Sequence, residues 1–178
     1  MASQKRHTKL SNGHLLMLVI TELSEAVEAD RKGKYFKGIS TFEREFNRYS
    51  ALVDENKCFE RAFEKYVKDT VPDEMADAVI RLLDLAGSID ISLDDIYDLT
   101  NEPEYKDWYD ALKEMSFTER MLFLTSILTE DRDIAEVIKA SIVIIFLNAD
   151  LLNIDLLWHI DNKIRYNELR ENKHGKRY

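Results

Sequence analysis

The sequence predicts an all-α protein, a helical bundle of one domain, and three observations support this. Apolar residues recur at the i, i+3, i+4, i+7 spacing of an amphipathic helix through most of the chain. No stretch alternates with the period of two that marks a β-strand. The 178 residues include only 5 Gly and 2 Pro, too few turn formers for a sandwich or barrel of many short strands. The length suits a single domain with a sizeable core.

The first predicted helix carries the clearest apolar stripe. Ser11 or Asn12 provides its N-cap, and Gly33 provides its end. A second helical run, polar and aromatic, extends from Thr41 to about Lys68. The polar triplet Asp54-Glu55-Asn56 is a candidate break within that run.

The third predicted helix begins after Thr70 and ends at Gly87. Pro72 stands in its first turn, where the missing N–H group costs nothing. Ser92, followed by the acidic pair Asp94-Asp95, then indicates the start of a short helix.

The C-terminal half is predicted to hold four more helices. Ser116 and Glu119 have the spacing of a capping box, which marks the start of one of them. Another is apolar enough to be a buried central helix. The four predicted spans are 103–115, 120–128, 134–152 and 155–172.

Composition limits the classes of function. The formal net charge is −9, from 34 acidic and 25 basic residues, so the surface should repel nucleic acid. A single cysteine, Cys58, excludes an internal disulfide or a cysteine-built zinc site. The longest apolar stretch, Ile142 to Leu147, is far shorter than the ~20 residues of a membrane-spanning helix. The apolar run from Leu15 to Ile20 is also too short for a signal peptide. We therefore expect a cytoplasmic protein with no nucleic-acid or membrane partner.

Two pairs of acidic residues stand at the edge of an apolar helix face. At ~100° per residue, Glu22 and Glu25 lie about 60° apart on the first helix, as do Glu74 and Asp77 on the third. If these edges meet when the helices pack, four carboxylates converge, and their repulsion would raise their pKa values unless cations neutralise them. Oxygen ligands in that number suit Mg²⁺ or Mn²⁺. The alternative is that all four are solvated helix surface, as most acidic residues are.

The same acids carry a resemblance to a known family. Glu22-Leu23-Ser24-Glu25 and Glu74-Met75-Ala76-Asp77, with their flanking residues, resemble the ExxE and ExxD motifs of MazG-like all-α nucleoside triphosphate pyrophosphohydrolases, which are relatives of the dimeric dUTPases. The resemblance implies a helical bundle of that type. It also implies hydrolysis of a nucleoside triphosphate to the monophosphate and pyrophosphate, and work as a homodimer or homotetramer. All four acids would then ligate Mg²⁺, with Mn²⁺ as a possible substitute, and Glu22 would also be the catalytic base that activates water.

This chain departs from the family pattern in two ways. The gap between the motifs is long, so residues 34–70 are interpreted as a helical insertion that forms a lid or a dimer surface. Some family members have an additional Glu just before the first pair, where this chain has Ile20 and Thr21. That leaves Glu28 or Asp84 as alternative bases. The segment from about residue 90 to 155 resembles nothing that would indicate the nucleotide base.

The last sixteen residues, 163–178, form a basic tail with six Lys or Arg and two Glu. Its pattern is similar to a C-terminal motif of the dimeric dUTPase relatives, in which such groups contact substrate phosphate. The resemblance implies substrate binding by Lys163, Asn167, Arg170, Lys176 and Tyr178. It also suggests dUTP or dCTP as substrate. The alternative is a solvated chain end whose cations favour a helix C-terminus.

Together these patterns predict a Mg²⁺-dependent nucleotide pyrophosphohydrolase that acts on surplus or non-standard nucleotides. The competing hypothesis is a helical interaction protein with the same fold and no catalytic activity.

Overall fold

The predicted all-α class is confirmed by the computed structural model, which describes residues 10–49, 53–96 and 103–169. These residues form eight α-helices and one short 3-10 helix at Asn47–Tyr49, with no β-strand among them. The helices are α1 (Asn12–Arg31), α2 (Ile39–Phe46), α3 (Glu55–Tyr66), α4 (Val71–Ser88), α5 (Pro103–Lys113), α6 (Phe117–Leu128), α7 (Ile134–Leu151) and α8 (Leu156–Leu169).

The helix starts follow the predicted capping residues in most places. The Ser11 side chain accepts a hydrogen bond from the His14 backbone N–H at 3.2 Å, so Ser11 is the N-cap of α1. The capping box of Ser116 and Glu119 is complete at the start of α6. Asp54 caps α3 with its side chain, which confirms the break in the second helical run.

Two predictions about helix starts need adjustment. The second run begins at Ile39, two residues before Thr41, because Gly38 turns the chain with a positive φ of 95°. Thr70 stands at the N-cap position of α4 but does not cap the helix, since its hydroxyl donates to the Val67 carbonyl instead. The short helix predicted after Ser92 and the end of the last helix lie mainly outside the described residues.

The main core is built around the apolar stripes of α1 and α4, which pack against each other in the most extensive contact between helices. Val19 and Leu23 of α1 and Met75 and Leu82 of α4 are essentially inaccessible to solvent. Helices α6 and α7 complete this core, and α5 packs on α7. The acidic residues lie at one edge of the α1–α4 pair, next to α8.

The segment between α1 and α4 has an apolar core of its own. Phe59 and Phe63 of α3 pack with Phe42 of α2, and Phe63 stacks on Tyr166 of α8 with 4.3 Å between ring centroids. We name the buried members Phe42, Phe59, Ala62, Phe63, Val67 and Tyr166 the aromatic cluster. Helix α8 therefore lies between α4 on one side and this cluster on the other.

Among the residues that the structure describes, no single helix is both long enough and apolar enough to cross a bilayer, and α7 and α8 reach that length only as a pair bent by 113°.

Candidate functional site

Helices α1 and α4 bring three of the four predicted metal ligands together. Glu22, Glu74 and Asp77 can each offer one carboxylate oxygen, and these oxygens lie within 4.8 Å of one another. Glu22 and Glu74 are only 6% and 5% exposed, so they are not the solvated surface of the alternative interpretation. Glu25 lines the same cleft but is exposed and lies outside this close group. We name Glu22, Glu74 and Asp77 the acidic group.

The acidic group lies in a cleft of about 380 Å³. Helices α1, α4 and α8 and the turn before α4 contribute its lining residues. The lining residues are Glu22, Glu25, Lys68, Asp69, Glu74, Asp77, Ile80, Arg81, Asp84, Lys163 and Asn167.

The acidic group brings carboxyl groups together where water solvates their ionised forms poorly. Burial raises the pKa of Glu74 to about 8, and repulsion from Asp73, Asp77 and Glu25 adds to the effect. Burial also raises the pKa of Glu22, although Arg81 opposes that change. A cation bound between these carboxylates would relieve both the desolvation and the repulsion.

Two basic side chains neutralise part of this charge. The Arg81 Nε donates a hydrogen bond to Glu22 Oε1. The Lys163 Nζ lies 2.7 Å from Asp77 Oδ2 and 2.9 Å from each carboxylate oxygen of Asp73. Within the described part of the chain, the Glu74 carboxylate has neither a hydrogen bond nor an ion pair. The acidic group is therefore only partly neutralised, and Glu74, on which the Lys163 charge acts without direct contact, is the member with no hydrogen-bond or ion-pair partner among the described residues.

Asp73 is a member of the site that sequence reasoning missed. It is 1% exposed and accepts hydrogen bonds from Lys163 and, at 3.0 Å, from the backbone N–H of Asp69. Burial raises its pKa to about 6. In the sequence Asp73 is indistinguishable from an ordinary acid in the first turn of a helix, where the dipole favours negative charge. Its partner Lys163 is 90 residues away, so no local pattern reveals the pair.

The predicted substrate-binding residues fall into three groups. Asn167 lines the cleft, as expected for a group that contacts substrate. Lys163 also lines it, but this side chain is buried and its ammonium is held by Asp73 and Asp77. A phosphate contact from Lys163 would require it to leave those carboxylates. Arg170, Lys176 and Tyr178 lie outside the described residues.

The structure separates the two alternative bases. Asp84 lines the cleft, and partial burial raises its pKa. Glu28 is exposed and pairs with Lys32 at 3.0 Å and Arg31 at 3.2 Å, and the hydrogen bond from Lys32 lowers its pKa. Of the two, Asp84 is the residue that faces the same cleft as the acidic group.

The donor set of the site fits a hard divalent cation. All its candidate ligand atoms are carboxylate oxygens, which Mg²⁺ and Mn²⁺ prefer. Opposite oxygens around Mg²⁺ are about 4.2 Å apart. Neighbouring oxygens around Mg²⁺ are only about 3 Å apart. The oxygens of the acidic group, which lie within 4.8 Å of one another, would therefore have to move closer together to bind one ion.

Comparison with known proteins gives no further information: no protein-family model, curated protein or solved structure matches this chain.

Proposed function

We propose that this protein is a Mg²⁺-dependent nucleoside triphosphate pyrophosphohydrolase that works on the nucleotide pool of the cytoplasm. The proposal combines the ExxE and ExxD resemblance with one structural observation. Oxygens from both motifs, those of Glu22, Glu74 and Asp77, lie within 4.8 Å of one another in a cleft with room for a polyphosphate. An accidental surface distribution of acids would not bury two of these carboxylates against each other.

The acidic residues have distinct roles in this proposal. Glu22, Glu74 and Asp77 hold Mg²⁺, and Glu25 contributes from the exposed rim of the cleft. When bound, the ion supplies positive charge that stabilises the charge developing on the phosphate oxygens. Glu22 accepts the proton of the attacking water, and its raised pKa brings it nearer to the range in which a carboxylate is an effective base at neutral pH. Asp84 is the alternative base.

The neighbouring residues position these carboxylates. Lys163, itself paired with Asp73, contacts Oδ2 of Asp77. The other carboxylate oxygen of Asp77 is left to bind the ion. Arg81 pairs with Glu22 and lines the cleft. An ion bound to Glu22 would displace the Arg81 guanidinium, which could then contact a phosphate. Asn167 is placed to donate to the substrate from α8. The protein needs no nucleophile of its own, because water is the nucleophile. Water adds to a phosphate of the substrate, and the anhydride bond between the inner phosphate and the two outer phosphates breaks to release pyrophosphate.

One observation favours the second candidate, a helical interaction protein without activity. Arg81 and Lys163 already neutralise Glu22 and Asp77 without an ion. In a purely structural site, however, nothing would favour placing Glu74 beside two other carboxylates. Glu74 is therefore the residue whose behaviour distinguishes the two candidates.

The proposal is tested by incubating the purified protein with Mg²⁺ and a panel of ribo- and deoxyribonucleoside triphosphates that includes dUTP and dCTP, and measuring pyrophosphate release. We expect turnover of at least one nucleotide and its loss in Glu74→Ala and Glu74→Gln. Turnover should be retained in the control Glu114→Gln, since Glu114 is an exposed glutamate that does not line the cleft. A protein that is inactive on every nucleotide would refute the enzymatic proposal. Light scattering on the same sample measures the expected dimer or tetramer.

A further inference from the structure

The acidic cleft continues into a second, smaller cavity. This cavity, of about 240 Å³, shares Glu25, Asp69 and Glu74 with the acidic cleft. Its other lining residues are Glu28, Ala29, Lys32 and Lys34. A third lysine, Lys68, lines the acidic cleft next to the shared Asp69. Because they share these residues, the two cavities adjoin and make one depression, lined by carboxylates and by three lysines. We name Lys32, Lys34 and Lys68 the lysine group.

The backbone fixes this group against the start of α4. Gly33 has a positive φ of 65°, and the turn it makes allows the Lys34 N–H to bond to the Ala29 carbonyl at 2.9 Å. The Lys34 carbonyl then accepts a hydrogen bond from the Val71 N–H at 3.0 Å. The Lys68 N–H bonds to the Phe63 carbonyl at 2.9 Å, directly before the chain enters α4. Both lysines are therefore anchored by their main chains while their side chains remain exposed.

Lys34 and Lys68 are the cations of the depression that remain available to an anion. The side chains of Arg81 and Lys163 are engaged by carboxylates, and Lys32 pairs with Glu28. Neither Lys34 nor Lys68 forms an ion pair with any residue in the described ranges. The first turn of α4 lies beside them and adds the positive end of a helix dipole.

We propose that Lys34 and Lys68 bind the outer phosphates of the substrate, the part that leaves as pyrophosphate, with Lys32 adding positive charge. This inference rests on the proposed function, because it takes the acidic group as the place where the ion meets the inner phosphates. A nucleoside triphosphate carries several negative charges, and cations at one end of the cleft would fix the orientation of its phosphate chain. The phosphate-binding role then belongs to the turn after α1 and the turn before α4, in addition to the tail of the chain.

The proposal is tested by calorimetric titration of the full chain with inorganic tripolyphosphate already complexed with Mg²⁺. Lys34→Gln and Lys68→Gln should each raise Kd about tenfold, the loss of one charge-assisted contact. The double variant should raise Kd about a hundredfold if the contacts are independent. Lys106→Gln is the matched control, since Lys106 is an exposed lysine of α5 and lines neither cavity. Its Kd should be that of the wild type.

The possible results separate this inference from the proposed function. A wild-type protein that does not bind tripolyphosphate, or a double variant that binds it like the control, would overturn the inference. If the wild type releases pyrophosphate from a nucleotide and the lysine variants keep its KM, the inference fails while the function stands. If the lysines govern tripolyphosphate binding but no nucleotide is hydrolysed, the proposed function fails, and what remains of the inference is a polyphosphate-binding site without a leaving group. Mg²⁺ affinity measured without phosphate should be the same in all variants.

Discussion

Replacing Glu74 by glutamine should stabilise the metal-free protein while removing its response to Mg²⁺. Burial and neighbouring carboxylates raise the pKa of Glu74 from 4.5 to about 8, so ionisation of this group opposes folding. Between these values the native state binds a proton that the unfolded state has lost. The contribution of Glu74 to stability is therefore favourable at low pH and falls as pH rises from 4.5 to 8. Glutamine has nearly the same shape and no charge to desolvate.

The stability difference between the wild type and Glu74→Gln can be calculated from the shift of the Glu74 pKa from 4.5 to about 8. Each pH unit above 4.5 contributes about 1.4 kcal/mol, so at pH 7 the wild type should be less stable than Glu74→Gln by about 3 kcal/mol. This value is an upper bound, because the carboxylate can rotate toward water in the cleft. At pH 5 the two proteins should differ by less than about 1 kcal/mol.

The measurement is urea unfolding in EDTA at pH 5, 6, 7 and 8, followed by the fluorescence of Trp108 and Trp158. The control is Glu28→Gln, an exposed glutamate whose pKa is lowered by Lys32, for which no gain in stability is expected at any pH. Adding Mg²⁺ should stabilise the wild type, by about 2.7 kcal/mol at a hundred times its Kd, and leave Glu74→Gln unchanged. A variant less stable than the wild type at pH 7, or a gain that does not grow between pH 5 and 8, would show that ionisation of Glu74 does not oppose folding.

Two further substitutions test the contacts around α8. Lys163→Met should destabilise the protein by about 3–5 kcal/mol, since it leaves Asp73 buried beside other carboxylates. Adding Asp73→Asn should recover part of that loss in urea unfolding, and an equal loss in the double variant would contradict the pairing. Phe63→Ala should cost about 3–5 kcal/mol by opening the aromatic cluster, whereas Phe63→Leu should cost less. A value below 1 kcal/mol for Phe63→Ala, measured by thermal unfolding, would mean that the segment from 34 to 70 does not depend on this cluster.

Periodicity and capping predicted much of the fold because both are local. The Ser116 capping box and the break at Asp54 depend only on residues within one turn of each other, and both are confirmed. The acidic edges of α1 and α4 do meet in the fold, where the apolar stripes of the two helices pack together, and three of the four carboxylates lie close. Glu25 lies one step further from the stripe, which explains why it lines the cleft without joining the close group.

The remaining features depend on which distant elements meet, and no local pattern contains that information. The sequence shows Lys163 as part of a basic tail, whereas in the fold it is a buried partner of Asp73. The lysines at 34 and 68 stand more than thirty residues apart in the sequence and line adjoining cavities in the fold, where the Val71 N–H bonds to the Lys34 carbonyl. Aromatic spacing indicated helices in the segment between these lysines but not the surface they pack on.

The position of α8 between the acidic site and the aromatic cluster has a consequence for folding during synthesis. The acids of α1 and α4 are translated well before Lys163, which follows Asp73 by 90 residues. Until α8 has left the ribosome, Asp73 lacks its counter-charge and Phe63 lacks the ring it stacks on. The first half of the chain can therefore form helices early, but it cannot bury either group until one late helix docks against both. Docking of α8 would then be the step that completes the cleft.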